Sequence, residues 1–264
     1  MSRIRKNYKV EAFGKIQLLE CFPPSVSQIS QEQKLQIDRV WQRALNTVGA
    51  KLVNETLLDF VSLEIGPSQV KIFANFIEYK YFYAQRKRID LDLGIRPIGV
   101  SGIIFLEQDF DCFVVFAQRS EQVTEYPGLY ELVPSGNIDK EYSYSNRVID
   151  YRSKLLSEFV EETGLSRNYV RDISEFAFIL DTNHNVFDVC CKITLEVKKE
   201  TLFNGLLDSE EYKNPMFIST KDLGKFINEN KKTIVPTSLA ILEACGEVML
   251  GKALWKDVGI SVRI

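Results

Sequence analysis

SEFVEETGL, residues 157–165, is the stretch on which the fold turns. Glu158, Glu161 and Glu162 stand at i, i+3 and i+4, so in a helix the three carboxylates share one face. Leu155, Leu156, Phe159 and Val160 fall on the neighbouring face, which is expected to pack on a sheet. Like charges at this spacing cost roughly 0.2–0.5 kcal/mol per pair in an isolated helix. Glu161 and Glu162 also lie in the last turn before Gly164, a natural C-cap, where the helix dipole disfavours negative charge. Local physics opposes the arrangement twice. A hard divalent cation reverses both penalties, because Mg²⁺ prefers oxygen ligands, carboxylates among them. A solvated acidic face is the plain alternative. The metal reading is preferred because three carboxylates, a capping glycine and a glycine-containing turn upstream coincide.

On either side of this stretch the pattern is equally readable. It predicts a helix from about Ser145 to Thr163, ending at Gly164. Before it, the apolar runs 98–106 (IGVSGIIFL) and 112–118 (CFVVFAQ) flank a polar turn at Gln108-Asp109 and read as a hairpin. A loop of turn formers follows, through Pro127-Gly128 and Pro134-Ser135-Gly136-Asn137. After the helix, 175–181 and 186–197 read as strands, the second with Val189, Cys191, Ile193, Leu195 and Val197 on one face. A short strand is expected at 216–218, a short helix from Asp222, and a last helix from about Pro236 towards Trp255. Further upstream, 8–20 reads as a strand or hairpin ended by Pro23-Pro24. Ser30 and Gln33 form a capping box for a helix whose apolar positions are Ile37, Val40, Trp41, Ala44, Leu45 and Val48. Two short strands, 57–65 and 69–77, surround Gly66-Pro67, and Tyr79, Tyr81 and Tyr83 lead into Arg86, Lys87 and Arg88. The expected architecture is α+β: a smaller α+β segment over 1–95, then a layered domain over 96–264.

The 264 residues are 45% apolar and 26% charged, which permits a sizeable core and excludes a disordered or fibrous chain. A net charge of −3 gives no general reason to bind nucleic acid or an anionic membrane. No apolar run approaches the roughly 20 residues of a membrane span. The basic start (Arg3, Arg5, Lys6, Lys9) is broken by Glu11 and Lys15 and does not read as a signal peptide. With one histidine, His184, a two-histidine zinc site is excluded. The five cysteines show no CxxC spacing and read as reduced thiols, so a cytoplasmic location is expected. Any metal must therefore be held by carboxylates.

GNIDKE…SEFVEETGL resembles the Nudix box, in which a glycine and a spacer precede Arg-Glu-U-x-Glu-Glu-x-Gly-U, U being aliphatic or aromatic. Gly136 matches the opening glycine, and Glu158, Phe159, Glu161, Glu162, Gly164 and Leu165 match the second half in register. The resemblance implies an α/β/α sandwich with a mixed sheet. It also implies that Glu158, Glu161 and Glu162 ligate Mg²⁺ or Mn²⁺, joined by the carbonyl of Ser135. Ser157 stands where the family has arginine, with Arg147, Arg152 or Lys154 as substitutes. Gly136 to Glu158 spans 22 positions, seven more than the family spacing, the extra residues lying around Tyr142 to Asn146. Glu141 is the candidate spacer glutamate.

FVVFAQRSEQVTEYPGLYELVPSGNID is similar to the Nudix strand that ends in Arg-Ser and passes through Pro-Gly to the box. That likeness places Arg119 at a strand end facing phosphates. LDSEEYKNPMFISTKDL resembles the later segment in which a loop glutamate serves as ligand or base, making Glu210 or Glu211 a candidate, with Glu211 favoured as catalytic. The overall layout is most similar to the UDP-sugar diphosphatase branch. The implied activity is metal-assisted hydrolysis of a nucleoside diphosphate linked to X, without a protein nucleophile. Tyr126, Tyr130 and Phe187 are candidate readers of the substrate's remaining groups, each with core packing as the competing role. Arg119, Tyr126 and Gly136 are the expected substrate contacts. A Nudix-fold nucleotide sensor without turnover is the alternative. RNA decapping has only the Arg86–Arg88 patch in its favour, so nucleic acid is not expected as a partner. The family allows a homodimer, although no residue marks an interface.

Overall fold

The structure is a computed structural model that describes residues 7–21, 29–48, 52–88, 90–123, 125–142 and 146–246. Its organising strand is β5, Pro97–Gln108, whose first ten residues are all buried. On one edge β5 runs parallel to β10 (Val186–Leu195), paired from Ile98 to Leu106. Its other edge is shared by three partners. β3 (Thr56–Ile65) meets Pro97 and Ile98, β8 (Ser135–Asn137) meets Gly99 to Ser101, and β6 (Asp111–Arg119) meets Phe105 to Gln108. The β5–β6 hairpin turns on Asp109 and Phe110, with φ of 53° and 63°, the left-handed pair that matches strand twist.

β1 (Tyr8–Phe13), β2 (Ile16–Glu20), β4 (Val70–Glu78) and β9 (Val170–Asp181) complete the order β1-β9-β10-β5-β3-β4-β2. β11 (Tyr212–Ser219) and β7 (Tyr130–Leu132) flank β6. The sheet is mixed, with β10–β5 and β2–β4 parallel. Its two faces feed two cores. β10 sends Phe187, Val189, Cys191, Ile193 and Leu195 to the core covered by α3 (Tyr151–Thr163) and α4 (Lys199–Leu207). Cys190 points to the opposite core, under α5 (Leu223–Asn230) and α6 (Pro236–Cys245). The α+β sandwich with a mixed sheet expected from the sequence is what the chain forms.

The first segment supplies β1–β4, α1 (Gln31–Val48) and α2 (Tyr79–Lys87), and its strands belong to the same sheet as the rest. Ser30 and Gln33 cap α1 reciprocally, at 2.9 and 3.2 Å. Trp41 meets Tyr79 and Tyr83 of α2 edge-on, so the tyrosine-rich run is helical and packed.

Several elements differ from expectation. Residues 8–20 are two strands but no hairpin, because β1 pairs with β9 and β2 with β4. α3 starts at Tyr151, where Asp150 caps it by accepting from the Ser153 N–H at 3.0 Å. Residues 143–145, Pro23-Pro24, Arg3, Arg5 and Lys6, the Val48 side chain and the extension of the last helix to Trp255 lie outside the described residues. β7, β8 and α4 are elements that the sequence pattern does not predict. No helix among the described residues is long and apolar enough to cross a membrane.

Candidate functional site

β8 is only three residues long, and its pairing with β5 fixes where the chain passes the last turns of α3. Gly164 ends that helix in the left-handed region, φ 66°, with its N–H bonded to the Val160 carbonyl. Glu162 points inward and is 3% exposed. Its Oε1 accepts the Ser135 N–H at 3.0 Å, while Oε2 is buried without a hydrogen-bond partner. Burial pushes the Glu162 carboxyl well above its usual range; the Ser135 N–H opposes this, and Glu131, Glu158 and Glu211 add to it.

Glu158 lies beside Gly136 and pairs with Lys154 Nζ at 2.7 Å. Burial raises its carboxyl, Lys154 pulls the other way, and Glu161 and Glu211 push up again. Glu161 is exposed and accepts from the Ser157 hydroxyl at 2.9 Å. Ser157 thus contacts one of the α3 carboxylates, but without a charge. Lys154 supplies the charge. Of the other suggested substitutes, Arg152 is engaged with Glu175, and the Arg147 carbonyl accepts the Glu20 N–H.

A second buried cluster lies behind the first. Arg119 pairs with Glu131, and the Tyr212 hydroxyl donates to Glu131 Oε2 at 3.0 Å and lies 3.4 Å from Glu162 Oε1. Burial raises the Glu131 carboxyl against the opposing pull of Arg119 and Tyr212. Arg119 also donates through Nε to the Glu125 carbonyl, and Glu125 binds Arg86 of α2.

A cavity of about 1000 Å³ borders part of this cluster, with Glu162 and Tyr212 outside its lining. Arg119, Tyr126, Ser135, Gly136, Glu158, Glu161 and Glu211 all line it, as does Glu141. The first segment contributes a wall through Thr56, Leu57, Tyr79, Phe82 and Arg86. Arg86 is therefore ion-paired at the cavity rather than part of a free basic patch. Tyr126 donates to Asp181 at 2.7 Å and meets the ring of His184 edge-on.

Other candidates lie elsewhere. Phe187 stacks on both Phe60 and Phe178 in a three-ring core cluster, Tyr130 packs on the α5–α6 side, and Glu210 is not among the lining residues.

Sequence reasoning missed Glu131, Tyr212 and Asp188. Asp188 lines the cavity and accepts from the Ser101 hydroxyl at 2.9 Å. Its carboxyl is pushed up to about 7, chiefly by burial, with Ser101 opposing. The available signal was a carboxylate interrupting an apolar strand, in YEL and in VFDVCC.

In kind, the donors suit a hard cation: carboxylate oxygens, one of them buried and unpartnered. As they stand, no three His, Cys, Asp or Glu side chains among the described residues are gathered to hold a metal ion.

No family model matches the sequence. A search of curated proteins gives no match. Among solved structures, the chain is similar to the Nudix domain of Shewanella oneidensis NrtR complexed with ADP-ribose, at 16% identity over 57% of this chain and 86% of that one, TM-score 0.40. It is similar to DR0079 from Deinococcus radiodurans at 11% identity over 72% and 99%, TM-score 0.45. A bifunctional NMN adenylyltransferase/ADP-ribose pyrophosphatase from Francisella tularensis, complexed with AMP and a Mn ion, matches at 16% identity over 64% and 46%, TM-score 0.42.

Proposed function

We propose that the protein is a Mg²⁺- or Mn²⁺-dependent hydrolase of nucleoside diphosphates linked to X, releasing a nucleoside monophosphate and X-phosphate. Water adds to one phosphorus and the bridging oxygen leaves with the other phosphate. The observation that carries this reading is the α3 carboxylate face: Glu158, beside Gly136 at the wall of a cavity of about 1000 Å³, and Glu162, one turn on, buried with an unpartnered oxygen.

Glu158, Glu161, Glu162 and the Ser135 carbonyl are the proposed ligands. The cation, when bound, offsets charge on the diphosphate and acidifies a water. Arg119 holds a positive charge at the cavity, kept in place by Glu131 and the Glu125 carbonyl, and is proposed to orient the phosphates. Glu211, exposed at the cavity, is the proposed general base. Residues 96–264 form the proposed catalytic unit, and 1–95 supply the wall with Tyr79, Phe82 and Arg86 that reads groups beyond the diphosphate. A UDP-sugar is the substrate favoured by the sequence layout.

The Lys154–Glu158 pair favours a second reading, a nucleotide sensor in which the cation never completes its site. One experiment separates them. Purified full-length protein is incubated with UDP-, ADP-, GDP- and CDP-sugars, ADP-ribose and dinucleotides in Mg²⁺ or Mn²⁺, with Glu162→Gln as the blank. Turnover lost in the variant supports the hydrolase. Calorimetric binding without product selects the sensor, and neither binding nor product overturns both.

A further inference from the structure

Lys154 is a cation set among the carboxylates of α3. Its Nζ lies 2.7 Å from Glu158 Oε1 and 3.4 Å from Asp139 Oδ2, and 5.6 Å from the centre of the Tyr142 ring. The Lys154 and Glu158 side chains are each only 13% exposed. Helix chemistry alone does not explain the pair, because lysine preceding glutamate at i, i+4 is the weaker order. Asp139 and Tyr142, from the loop before the helix, hold Lys154 in place from outside. The pair is therefore a feature of the site, not of the helix.

Charge matching around it is uneven. Arg119 answers Glu131 and Lys154 answers Glu158, while Glu162 keeps a buried oxygen with no partner. A divalent cation held by Glu158 would share that carboxylate with Lys154, which already pairs with its Oε1.

We infer that Lys154 is a resident counter-ion that competes with the divalent cation for Glu158. Without the cation it keeps Glu158 beside Gly136 and offsets the acidic cluster. With the cation bound it releases Glu158 and stays on Asp139, leaving its ammonium at the cavity wall. The inference rests on the proposed metal site, and it makes Lys154 a positioning residue that sets the cation concentration at which the site fills.

The test is calorimetric titration of the full chain with Mn²⁺ alone, without nucleotide, for wild type, Lys154→Met, Lys154→Arg and Glu162→Gln, beside thermal unfolding in chelator. The expected result is that Lys154→Met binds Mn²⁺ about tenfold tighter than wild type, the equivalent of one partly buried ion pair. Lys154→Arg should bind like wild type, Glu162→Gln should not bind, and Lys154→Met should melt lower in chelator. If Lys154→Met does not fold, Lys154→Gln carries the same expectation. Equal or weaker Mn²⁺ binding by the neutral variants, with wild type binding normally, overturns the competition and leaves the hydrolase reading standing. No Mn²⁺ binding by any of the proteins overturns the metal site itself, and the inference with it.

Discussion

Glu158 lies across the backbone of Gly136: a Cβ placed on that glycine would stand 2.1 Å from Glu158 Oε1 and 2.6 Å from its Cγ. The close approach of β8 to α3 exists because position 136 has no side chain. Gly136→Ala must push Glu158 aside and so break its bond to Lys154. Overpacking of this kind costs about 1–3 kcal/mol, less where the displaced group is a flexible side chain. The expected outcome is a small loss of stability and at least about a tenfold loss of turnover. Wild-type rates in a folded Gly136→Ala protein would show that the position of Glu158 does not matter to the reaction.

The unpartnered oxygen of Glu162 leads to a second prediction. Its carboxyl is held well above the ordinary range, chiefly by burial, so the native state keeps a proton that the unfolded chain releases at lower pH. Stability in the absence of metal therefore falls as pH rises from the unfolded value through the folded one. Glu162→Gln removes the ionisation while Oε1 can still accept from Ser135. In chelator above neutral pH the variant should melt higher than wild type, by about 2–4 °C for each kcal/mol recovered. It should also lose the Mn²⁺-dependent rise in Tm. Thermal unfolding with and without Mn²⁺ reads both, and a lower Tm in chelator would mean that Glu162 is already compensated without a cation.

Tyr212 links the two carboxylate clusters through one hydroxyl, 3.0 Å from Glu131 and 3.4 Å from Glu162. Tyr212→Phe leaves Glu131 Oε2 with Arg119 alone and removes a neighbour of Glu162 Oε1. Losing a buried hydrogen bond to a charged group costs about 1.5–3 kcal/mol. Urea unfolding should show a loss of that size with an unchanged m-value. Unchanged stability would indicate that water replaces the hydroxyl.

Much of this arrangement can be read in the residues, and the exceptions have physical causes. The β5–β6 hairpin, the α1 capping box and the Gly164 cap are local features whose signals lie within a few residues of each other. β7 and β8 are three-residue strands inside a run of turn formers, and they exist only because β6 and β5 offer them edges. The Gly14 turn, φ 110°, has the look of a hairpin signal, but the partners of β1 and β2 lie far along the chain. α4 is short and carries Gly205 in its last turn, which weakens its helical signature; that glycine lets it pass the Thr163 carbonyl, 2.0 Å from where a Cβ would be. That Glu158, Glu161 and Glu162 belong to one helix, at i, i+3 and i+4, is legible from spacing alone. Glu131 and Tyr212 become visible as their partners only once the strands are assembled, whereas Lys154, four residues before Glu158, is already a candidate from the sequence.

Asp59 allows a prediction independent of catalysis. It is a buried carboxylate on β3, 9% exposed, that accepts the Arg96 N–H at 2.7 Å. Burial pushes its carboxyl from 3.8 up to about 6, against the opposing pull of the Arg96 N–H and charge. Because the folded value is the higher one, the folded chain holds more protons between those two pH values. Its contribution to stability is thus best below about 4, declines as pH rises to about 6, and stays at its low plateau above. A shift of this size corresponds to at most about 3 kcal/mol. Asp59→Asn keeps an oxygen for Arg96 and cannot ionise, so it should stabilise the protein by about 1–3 kcal/mol at pH 8 and by much less at pH 4. Urea unfolding of both proteins at the two pH values reads the difference directly. A gain that is equal at pH 4 and pH 8 would mean that the charge on Asp59 is not what the substitution relieves.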